Sequence, residues 1–191
     1  MRPAVFVDRD GTINEQMGYI NHPSRFVLLP GVAEAIRLLN ENHFFVIVVS
    51  NQSGVARGYF PESLVLRINE LMVEQLSKQG ARLDAIFYCP HHPSGVVSEY
   101  AVTCDCRKPG TGLIERACGQ LPIDIQRSYV IGDTCSDLEM AEHAGMPGVL
   151  VKTGYGLGEL EYVLPRKRVN PAYIAADLLD GVNWILGITG E

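Results

Sequence analysis

Residues 5–12 read VFVDRDGT, a short apolar run that ends at two carboxylates. The run is rich in Val and Phe and too short for a helix, so it predicts a buried strand. If the chain stays extended through Arg9, the side chains of Asp8 and Asp10 point to the same side. Two adjacent carboxylates repel each other unless a cation lies between them. The stretch therefore fits either an Asp-rich turn or a site for a hard cation such as Mg²⁺.

The composition narrows the class of protein. A chain of 191 residues is expected to form one domain over residues 1–191, and a net charge of −6 disfavours nucleic acid and anionic membranes as partners. The longest apolar run, 44–49, is too short to span a bilayer. The first strand begins almost at the N-terminus with no signal-like segment before it, so we expect a cytoplasmic protein. The oligomeric state is not fixed by the sequence, and a monomer is our working expectation.

Strand-like and helix-like patterns alternate along the chain. This alternation predicts an α/β fold with three layers, in which helices cover both faces of a doubly wound, mostly parallel sheet. Residues 154–170 are rich in Gly and basic residues and are expected to form a loop. The predicted strands are 5–7, 44–49, 85–88, 129–131, 149–151 and an edge strand at 173–174, and the predicted helices are 32–42, 61–78, 111–119, 135–144 and 178–186.

The segment 89–108 has no periodicity and is long for a loop inside a compact domain. It carries Cys89, His91, Cys104 and Cys106, a ligand set that suits a closed, structural, tetrahedral Zn²⁺ site. Zinc would explain how so many irregular residues are held without a hydrophobic core. His92 is the alternative imidazole ligand, and three buried, reduced cysteines without metal are the other interpretation. The two remaining cysteines, Cys118 and Cys135, are predicted to be small packing residues.

Polar groups follow four of the predicted strands, and the carboxyl ends of parallel strands meet at one edge of the sheet. In this order and spacing they resemble the haloacid dehalogenase superfamily of phosphohydrolases, and the resemblance covers 4–151. It implies an α/β core of the Rossmann type. No large cap domain is expected, because the gap 12–30 is too short and the later insertion is assigned to zinc. The groups are Asp8 with Asp10, Ser50 with Asn51, Arg107 with Lys108, and Asp133 with Asp137.

The resemblance assigns the central chemistry to two carboxylates. Asp8 would be the nucleophile that becomes an aspartyl phosphate, and Asp10 would protonate the leaving oxygen and later deprotonate water. Mg²⁺ would bind Asp8, the backbone carbonyl of Asp10, and Asp133. Asp137 is one helical turn from Asp133 and is left with three roles: metal ligand, partner of Lys108, or exposed helix acid.

The phosphoryl oxygens would be held by Ser50, by backbone amides near Asn51 and by the charge of Lys108. Within the superfamily, the motifs CPHHP at 89–93, CDCRKP at 104–109 and SNQSG at 50–54 resemble the D-glycero-D-manno-heptose 1,7-bisphosphate 7-phosphatase family. That resemblance implies a small phosphorylated sugar as substrate, in the supply of activated heptose for lipopolysaccharide or other surface glycans. It also implies substrate contacts at Gly18, Tyr19, Asn51, Gln52 and Arg107.

Arg107 is the natural partner for the second phosphate, because a guanidinium can form two hydrogen bonds with it. Two positions depart from the commonest family pattern: Thr134 replaces a frequent lysine, and Gln16 replaces an acid. Two other functions stay open. One is hydrolysis of histidinol phosphate or another small phosphate ester, by an enzyme that shares the zinc motif. The other is a non-catalytic, zinc-stabilised binding module.

Overall fold

The computed structural model describes residues 1–189. Its elements alternate between strand and helix, as predicted, and their bounds agree with the predicted ones within a few residues. Pro61 immediately precedes the helix Glu62–Ser77, where its fixed φ and missing N–H interrupt no hydrogen bond of the helix. The strands are β1 (Ala4–Val7), β2 (Phe45–Asn51), β3 (Ala85–Cys89), β4 (Tyr129–Gly132), β5 (Gly148–Val151) and β6 (Tyr173–Ala175), and the main helices are α1 (Val32–Glu41), α2 (Glu62–Ser77), α3 (Gly112–Gln120), α4 (Cys135–His143), the short α5 (Gly156–Gly158) and α6 (Leu178–Thr189).

The six strands form one sheet in the order β3-β2-β1-β4-β5-β6, and every neighbouring pair in it is parallel. This order confirms the doubly wound fold. The sheet was expected to be mostly parallel and is parallel throughout the described residues. The chain reverses its direction of winding between β1 and β4, and a ligand crevice is expected at this point in such sheets. Asp8 and Asp133, which follow these two strands, therefore lie beside each other.

Side chains of alternate residues in the strands enter two separate cores. Val5 and Val7 pack with α1, α2 and α6, whereas Phe6 packs with α3 and α4. This alternation follows from the two-residue period of a strand, and each strand is apolar on both sides because helices cover both faces. The predicted three layers are confirmed. The prediction of a single domain is not tested by these contacts and stays a prediction.

The prediction of a plain loop at 154–170 is wrong. This segment contains α5, a π-helical turn at Glu159–Val163 and a 3₁₀ turn at Leu164–Arg166. Leu160 and Leu164 lie four residues apart and pack on an apolar cluster of α4 and β5. The glycines weaken the helical pattern in the sequence. These short turns are stable because they pack against the rest of the fold. Within residues 1–189, no helix is long and apolar enough to cross a lipid bilayer.

Candidate active site

A pocket of about 300 Å³ lies at the carboxyl ends of the strands, where the sequence predicted the site. Ten of the predicted catalytic, substrate-contacting and magnesium-binding residues line it. Gly18 and Tyr19 reach it from the loop after β1, and the others lie at strand ends or just before α3. These residues are Asp8, Asp10, Gly18, Tyr19, Ser50, Asn51, Gln52, Arg107, Lys108 and Asp133.

Lys108 lies at the base of the pocket between two carboxylates. Its Nζ donates to Oδ1 of Asp8 at 2.5 Å, to Oδ1 of Asp137 at 2.6 Å and to the carbonyl of Val49 at 3.1 Å. Both acids raise the pKa of Lys108 against the opposing effect of burial, so the amine stays charged. Asp137 is 1% exposed, so the possibility of an exposed helix acid is excluded. Its second oxygen accepts from the backbone N–H and the hydroxyl of Thr134 at the start of α4.

Asp8 and Asp133 are buried carboxylates that face each other across neighbouring strands. Burial is the main cause that raises the pKa of Asp8 to about 7 and that of Asp133 to about 8. Asp137 repels both of them, and Lys108 offsets part of that effect for each. A buried cation beside these two carboxylates would lower the pKa of each.

The orientation of Asp133 leaves one oxygen for a ligand. Its Oδ2 accepts from the N–H of Tyr155 at 2.8 Å, while Oδ1 is buried and has no hydrogen-bond partner. A Cβ at Gly11 or Gly154 would lie 2.1 or 2.2 Å from Oδ2, so this side of the carboxylate is closed. Oxygens of Asp8, Asp133 and Asp137 lie within 4.8 Å of one another. An unpartnered buried oxygen beside a second carboxylate fits the oxygen ligands that Mg²⁺ prefers.

Asp10 is held by three side chains. Nη2 of Arg9 donates to both of its carboxylate oxygens, at 3.2 and 2.9 Å. Nδ2 of Asn14 donates to Oδ1 at 3.0 Å, and Nε2 of Gln52 donates to Oδ2 at 2.7 Å. The charge of Arg9 and these hydrogen bonds outweigh the effect of burial and lower the pKa of Asp10. The same Gln52 amide donates to the hydroxyl oxygen of Ser50 at 2.7 Å.

Most of the predicted substrate-contact side chains already have partners within the protein. The amide of Asn51 is engaged, because it accepts from the N–H of Lys108 at 3.1 Å and donates to its carbonyl at 3.3 Å. Asn51 thus joins the end of β2 to the segment that carries Lys108. Tyr19 contacts Tyr59 edge to face, with ring centroids 4.8 Å apart. Arg107 donates weakly to the carbonyl of His91, at 3.5 Å.

The four predicted zinc ligands, Cys89, His91, Cys104 and Cys106, form one cluster. The sulfur of Cys104 lies 3.4 Å from that of Cys89 and 3.2 Å from that of Cys106. Nδ1 of His91 lies 3.4 Å from the Cys106 sulfur and 3.8 Å from the Cys89 sulfur. Ligand atoms about 2.0–2.3 Å from a tetrahedral zinc are about 3.5–3.8 Å apart. The observed separations of 3.2–3.8 Å overlap this range, with the sulfur pairs closer together, so the four atoms can share one metal ion. His92 lies outside the cluster, with Nε2 3.0 Å from Nη2 of Arg57.

Contacts outside the cluster attach the loop to the sheet. The carboxylate of Glu62, the first residue of α2, accepts from the hydroxyls of Tyr88 and Tyr100, both at 2.9 Å. Tyr88 lies in β3 and Tyr100 lies within the loop. Cys135 is buried as predicted, but Cys118 is exposed, so its predicted packing role is wrong. It lies on the outer side of α3, away from the helix face that packs on the sheet.

Sequence reasoning missed three polar residues that build the site. They are Arg9 between the two aspartates, Asn14 in the loop after β1 and Asn69 in α2. Asn69 accepts from Nη1 of Arg9 at 3.0 Å. The only sequence signal was a polar residue at a position on the apolar face of α2, one residue after Ile68. Nothing in the local pattern connects that position to residue 9.

The fold and this pocket define a hydrolase of the haloacid dehalogenase type. A family model described as HAD-hydrolase-like matches residues 105–181. A D-glycero-beta-D-manno-heptose-1,7-bisphosphate 7-phosphatase of Rhodopseudomonas palustris is 47% identical over 147 residues, which are 77% of this chain and 82% of that protein. A D-glycero-D-manno-heptose-1,7-bisphosphate 7-phosphatase of Thermosynechococcus vestitus is 42% identical and covers 96% of this chain and 95% of its own length. The chain belongs to the D-glycero-D-manno-heptose-1,7-bisphosphate 7-phosphatase family.

Solved structures agree with this assignment. The D,D-heptose 1,7-bisphosphate phosphatase of B. bronchiseptica, crystallised with magnesium and phosphate, matches with a TM-score of 0.85 and 30% identity. The match covers 97% of this chain and 99% of that one. That enzyme therefore shares the arrangement of strands and helices along almost the entire chain, including the segments that surround the pocket.

Proposed function

We propose that this protein is a Mg²⁺-dependent phosphatase that removes the 7-phosphate of D-glycero-D-manno-heptose 1,7-bisphosphate. The observation that carries the proposal is the pairing of Asp8 and Asp10 in one pocket, each bound to its own cation. Such a pair of carboxylates can divide the roles of nucleophile and acid or base. The names of the relatives supply the substrate.

In the first step, Oδ2 of Asp8 attacks phosphorus, because Oδ1 is engaged by Lys108. The bond between phosphorus and the sugar oxygen breaks, and its electron pair stays on that oxygen. Asp10 donates a proton to it, and the product is a sugar alcohol and an aspartyl phosphate. The approach of the negative phosphate favours the protonated form of Asp10, whose pKa is low in the free site.

In the second step, water attacks the phosphorus of the aspartyl phosphate, and Asp10 accepts one of its protons. The bond between phosphorus and Asp8 breaks, which restores the carboxylate and releases inorganic phosphate. The equatorial oxygens would be held by the hydroxyl of Ser50, whose oxygen already accepts from Gln52 so that its proton is free to donate. Dividing the hydrolysis into two displacements lowers the barrier of each.

Two metals are assigned to the two ligand clusters. Asp8, Asp133 and the backbone carbonyl of Asp10 would hold Mg²⁺, which when bound neutralises charge on the phosphoryl group. Cys89, His91, Cys104 and Cys106 would hold a structural Zn²⁺, because four protein ligands leave no open position.

The far end of the pocket would hold the sugar and its second phosphate. Arg107 is the one cation lining the pocket, among the described residues, that is not bound to a carboxylate. Its guanidinium would therefore bind the 1-phosphate. Tyr19 and Gly18 would contact the sugar, and Asn51 would act by fixing the backbone of Lys108.

The product would feed the synthesis of activated heptose for lipopolysaccharide or another surface glycan. We assign the protein to the cytoplasm, because a cluster with three cysteine ligands stays reduced in that compartment. We infer no partner other than the small phosphorylated sugar.

Phosphate release in the presence of Mg²⁺ tests the substrate. The α and β anomers of heptose 1,7-bisphosphate and histidinol phosphate are compared at equal concentration. We expect either bisphosphate to be hydrolysed faster, and the relatives named for the beta anomer favour that one. Faster hydrolysis of histidinol phosphate would instead indicate a role in histidine synthesis and overturn the heptose proposal.

An Asp8→Asn variant tests the chemistry. Because the amide is not nucleophilic, we expect turnover to fall to a few per cent of wild type or less, with an unchanged circular dichroism spectrum. Activity well above that level would remove Asp8 from the role of nucleophile. Wild-type protein that binds the bisphosphate but releases no phosphate would support the binding module.

A further inference from the structure

We propose that Arg9, held in place by Asn69, is the positioning residue that aims the carboxylate of Asp10 at the leaving oxygen. This proposal rests on the proposed phosphatase function and extends it. Arg9 lies between the two aspartates but occupies none of the pocket surface. It would act on the reaction only through the side chain that it holds.

The contacts of Arg9 connect the active-site turn to helix α2. One terminal nitrogen, Nη2, donates to both oxygens of Asp10, and the other, Nη1, donates to Oδ1 of Asn69 at 3.0 Å. Arg9 is 2% exposed and Asn69 is 8% exposed, so both ends of the connection are shielded from water. A guanidinium is planar, and fixing both terminal nitrogens therefore fixes its plane and the carboxylate beside it.

Asp8 and Asp10 are each bound by a different cation. Lys108 binds Asp8 and Asp137, whereas Arg9 is the only cation hydrogen-bonded to Asp10 among residues 1–189. Nε of Arg9 is buried without a partner, which carries a desolvation cost. Burying an arginine with one unpaired donor costs stability. A role in fixing Asp10 gives a functional reason for its burial.

Among the three side chains that hold Asp10, Arg9 is the charged one and the one that contacts both carboxylate oxygens. Without Arg9, each carboxylate oxygen would keep one neutral donor, from Asn14 or Gln52. The amide of Gln52 is also shared with Ser50. A displacement of about 1 Å in a catalytic group costs about 100-fold in rate.

The dependence on the leaving group tests this role, because a sugar alkoxide needs a proton to depart and nitrophenolate does not. The ratio kcat/KM reports the step in which the leaving group departs. For Arg9→Met we expect a loss of about 100-fold on the sugar phosphate and of less than about 5-fold on p-nitrophenyl phosphate. Equal losses on both esters, or none on the sugar phosphate, would overturn the proposal. Arg9→Lys keeps the charge and is expected to recover part of the loss.

Asn69 variants keep the test decisive if Arg9→Met does not fold. Asn69→Ala removes the anchor and is expected to lower kcat/KM about 10-fold on the sugar phosphate only. Asn69→Asp keeps an acceptor for Arg9 and is expected to restore activity. Glu70→Ala is the matched control on the same helix, because Glu70 is exposed and pairs with Arg67. A loss in the control as large as that in Asn69→Ala would contradict the proposal.

The result of the Arg9 and Asn69 variants can be distinguished from the result of the substrate test. If the wild type prefers another alkyl phosphate over the heptose bisphosphate, the substrate proposal fails and the same comparison is made with that ester. If the losses do not depend on the leaving group, the positioning role of Arg9 fails whichever sugar is the substrate.

Discussion

Lys108 contacts two carboxylates that come from different elements, Asp8 after β1 and Asp137 in α4. Each of these contacts is buried, so neither is screened by solvent as a surface ion pair would be. Asp137 does not line the pocket and has partners at both oxygens. This geometry favours Asp137 as a partner of Lys108 over direct ligation of magnesium.

An Asp137→Asn variant separates these two roles. If Asp137 acts through Lys108, the loss of one buried charge misplaces the ammonium and lowers kcat about 10–100-fold. The concentration of Mg²⁺ that gives half-maximal activity is expected to stay unchanged. A large rise in that concentration, with kcat recovered at saturation, would show that Asp137 is a metal ligand instead.

The raised pKa values of Asp8 and Asp133 predict how magnesium and pH act together. In an unfolded chain both acids titrate near 3.8, whereas in the fold they titrate at about 7 and about 8. A raised folded-state pKa stabilises the fold at low pH, and this contribution is lost as pH rises through those values. Magnesium bound at the proposed site would contact the ionised carboxylates. Its stabilising effect is therefore expected to grow from about pH 6 to about pH 8.5.

Thermal unfolding with and without Mg²⁺ at several pH values measures this effect. Magnesium is removed by dialysis and not by a strong chelator, which would also take zinc. The rise in Tm on adding Mg²⁺ is expected to increase with pH in the wild type and to disappear in Asp133→Asn. A rise that is equal at all pH values would contradict the titration of these groups.

At the scale of elements, the strands and the site edge were predictable because both depend on local sequence. An apolar run such as 44–49 makes a buried strand wherever helices cover it, and parallel strands bring their carboxyl ends together. The link between Arg9 and Asn69 was not predictable, because it joins residues sixty positions apart through side chains alone. The turns at 156–166 were missed because the glycines there weaken the helical pattern, which packing restores.

If the proposed zinc site is correct, the loop 89–108 is the element whose order depends most on a metal. A Cys104→Ser variant is expected to lose the zinc, which metal analysis would find at about one ion per chain in the wild type. Because the loop leads directly into Arg107 and Lys108, kcat is expected to fall more than about 10-fold. Cys118→Ser is the matched control, since Cys118 is exposed and outside the cluster. A zinc-free variant with full activity would refute the structural role.

At the scale of the molecule, the single tryptophan lies far from the cluster of Cys89, His91, Cys104 and Cys106. Trp184 in α6 stacks on Tyr173 of β6 with ring centroids 5.1 Å apart, and it contacts Tyr129 edge to face. β6 and β3 form opposite edges of the sheet, and the Cys/His cluster begins at Cys89, the last residue of β3. Trp184 therefore reports on the end of the fold remote from the metal.

This distance permits a test of the single domain. If residues 1–191 unfold as one unit, loss of zinc in Cys104→Ser is expected to lower the denaturation midpoint reported by Trp184 fluorescence. The midpoint from far-ultraviolet circular dichroism is expected to coincide with it. Wild-type protein in excess zinc is the reference. A Trp184 midpoint that is the same with and without zinc would show two independently folding units.

The close approach of the three cluster sulfurs makes them vulnerable to oxidants. Neighbouring thiols can lose two electrons to a peroxide and join, and a sulfur so joined is no longer a thiolate ligand for zinc. Burial raises the pKa of Cys89 and Cys106, so a bound metal would be needed to hold them as thiolates. If the loop holds zinc as proposed, such oxidation would release the metal and disturb the segment that leads to Lys108, without changing Asp8 or Asp10.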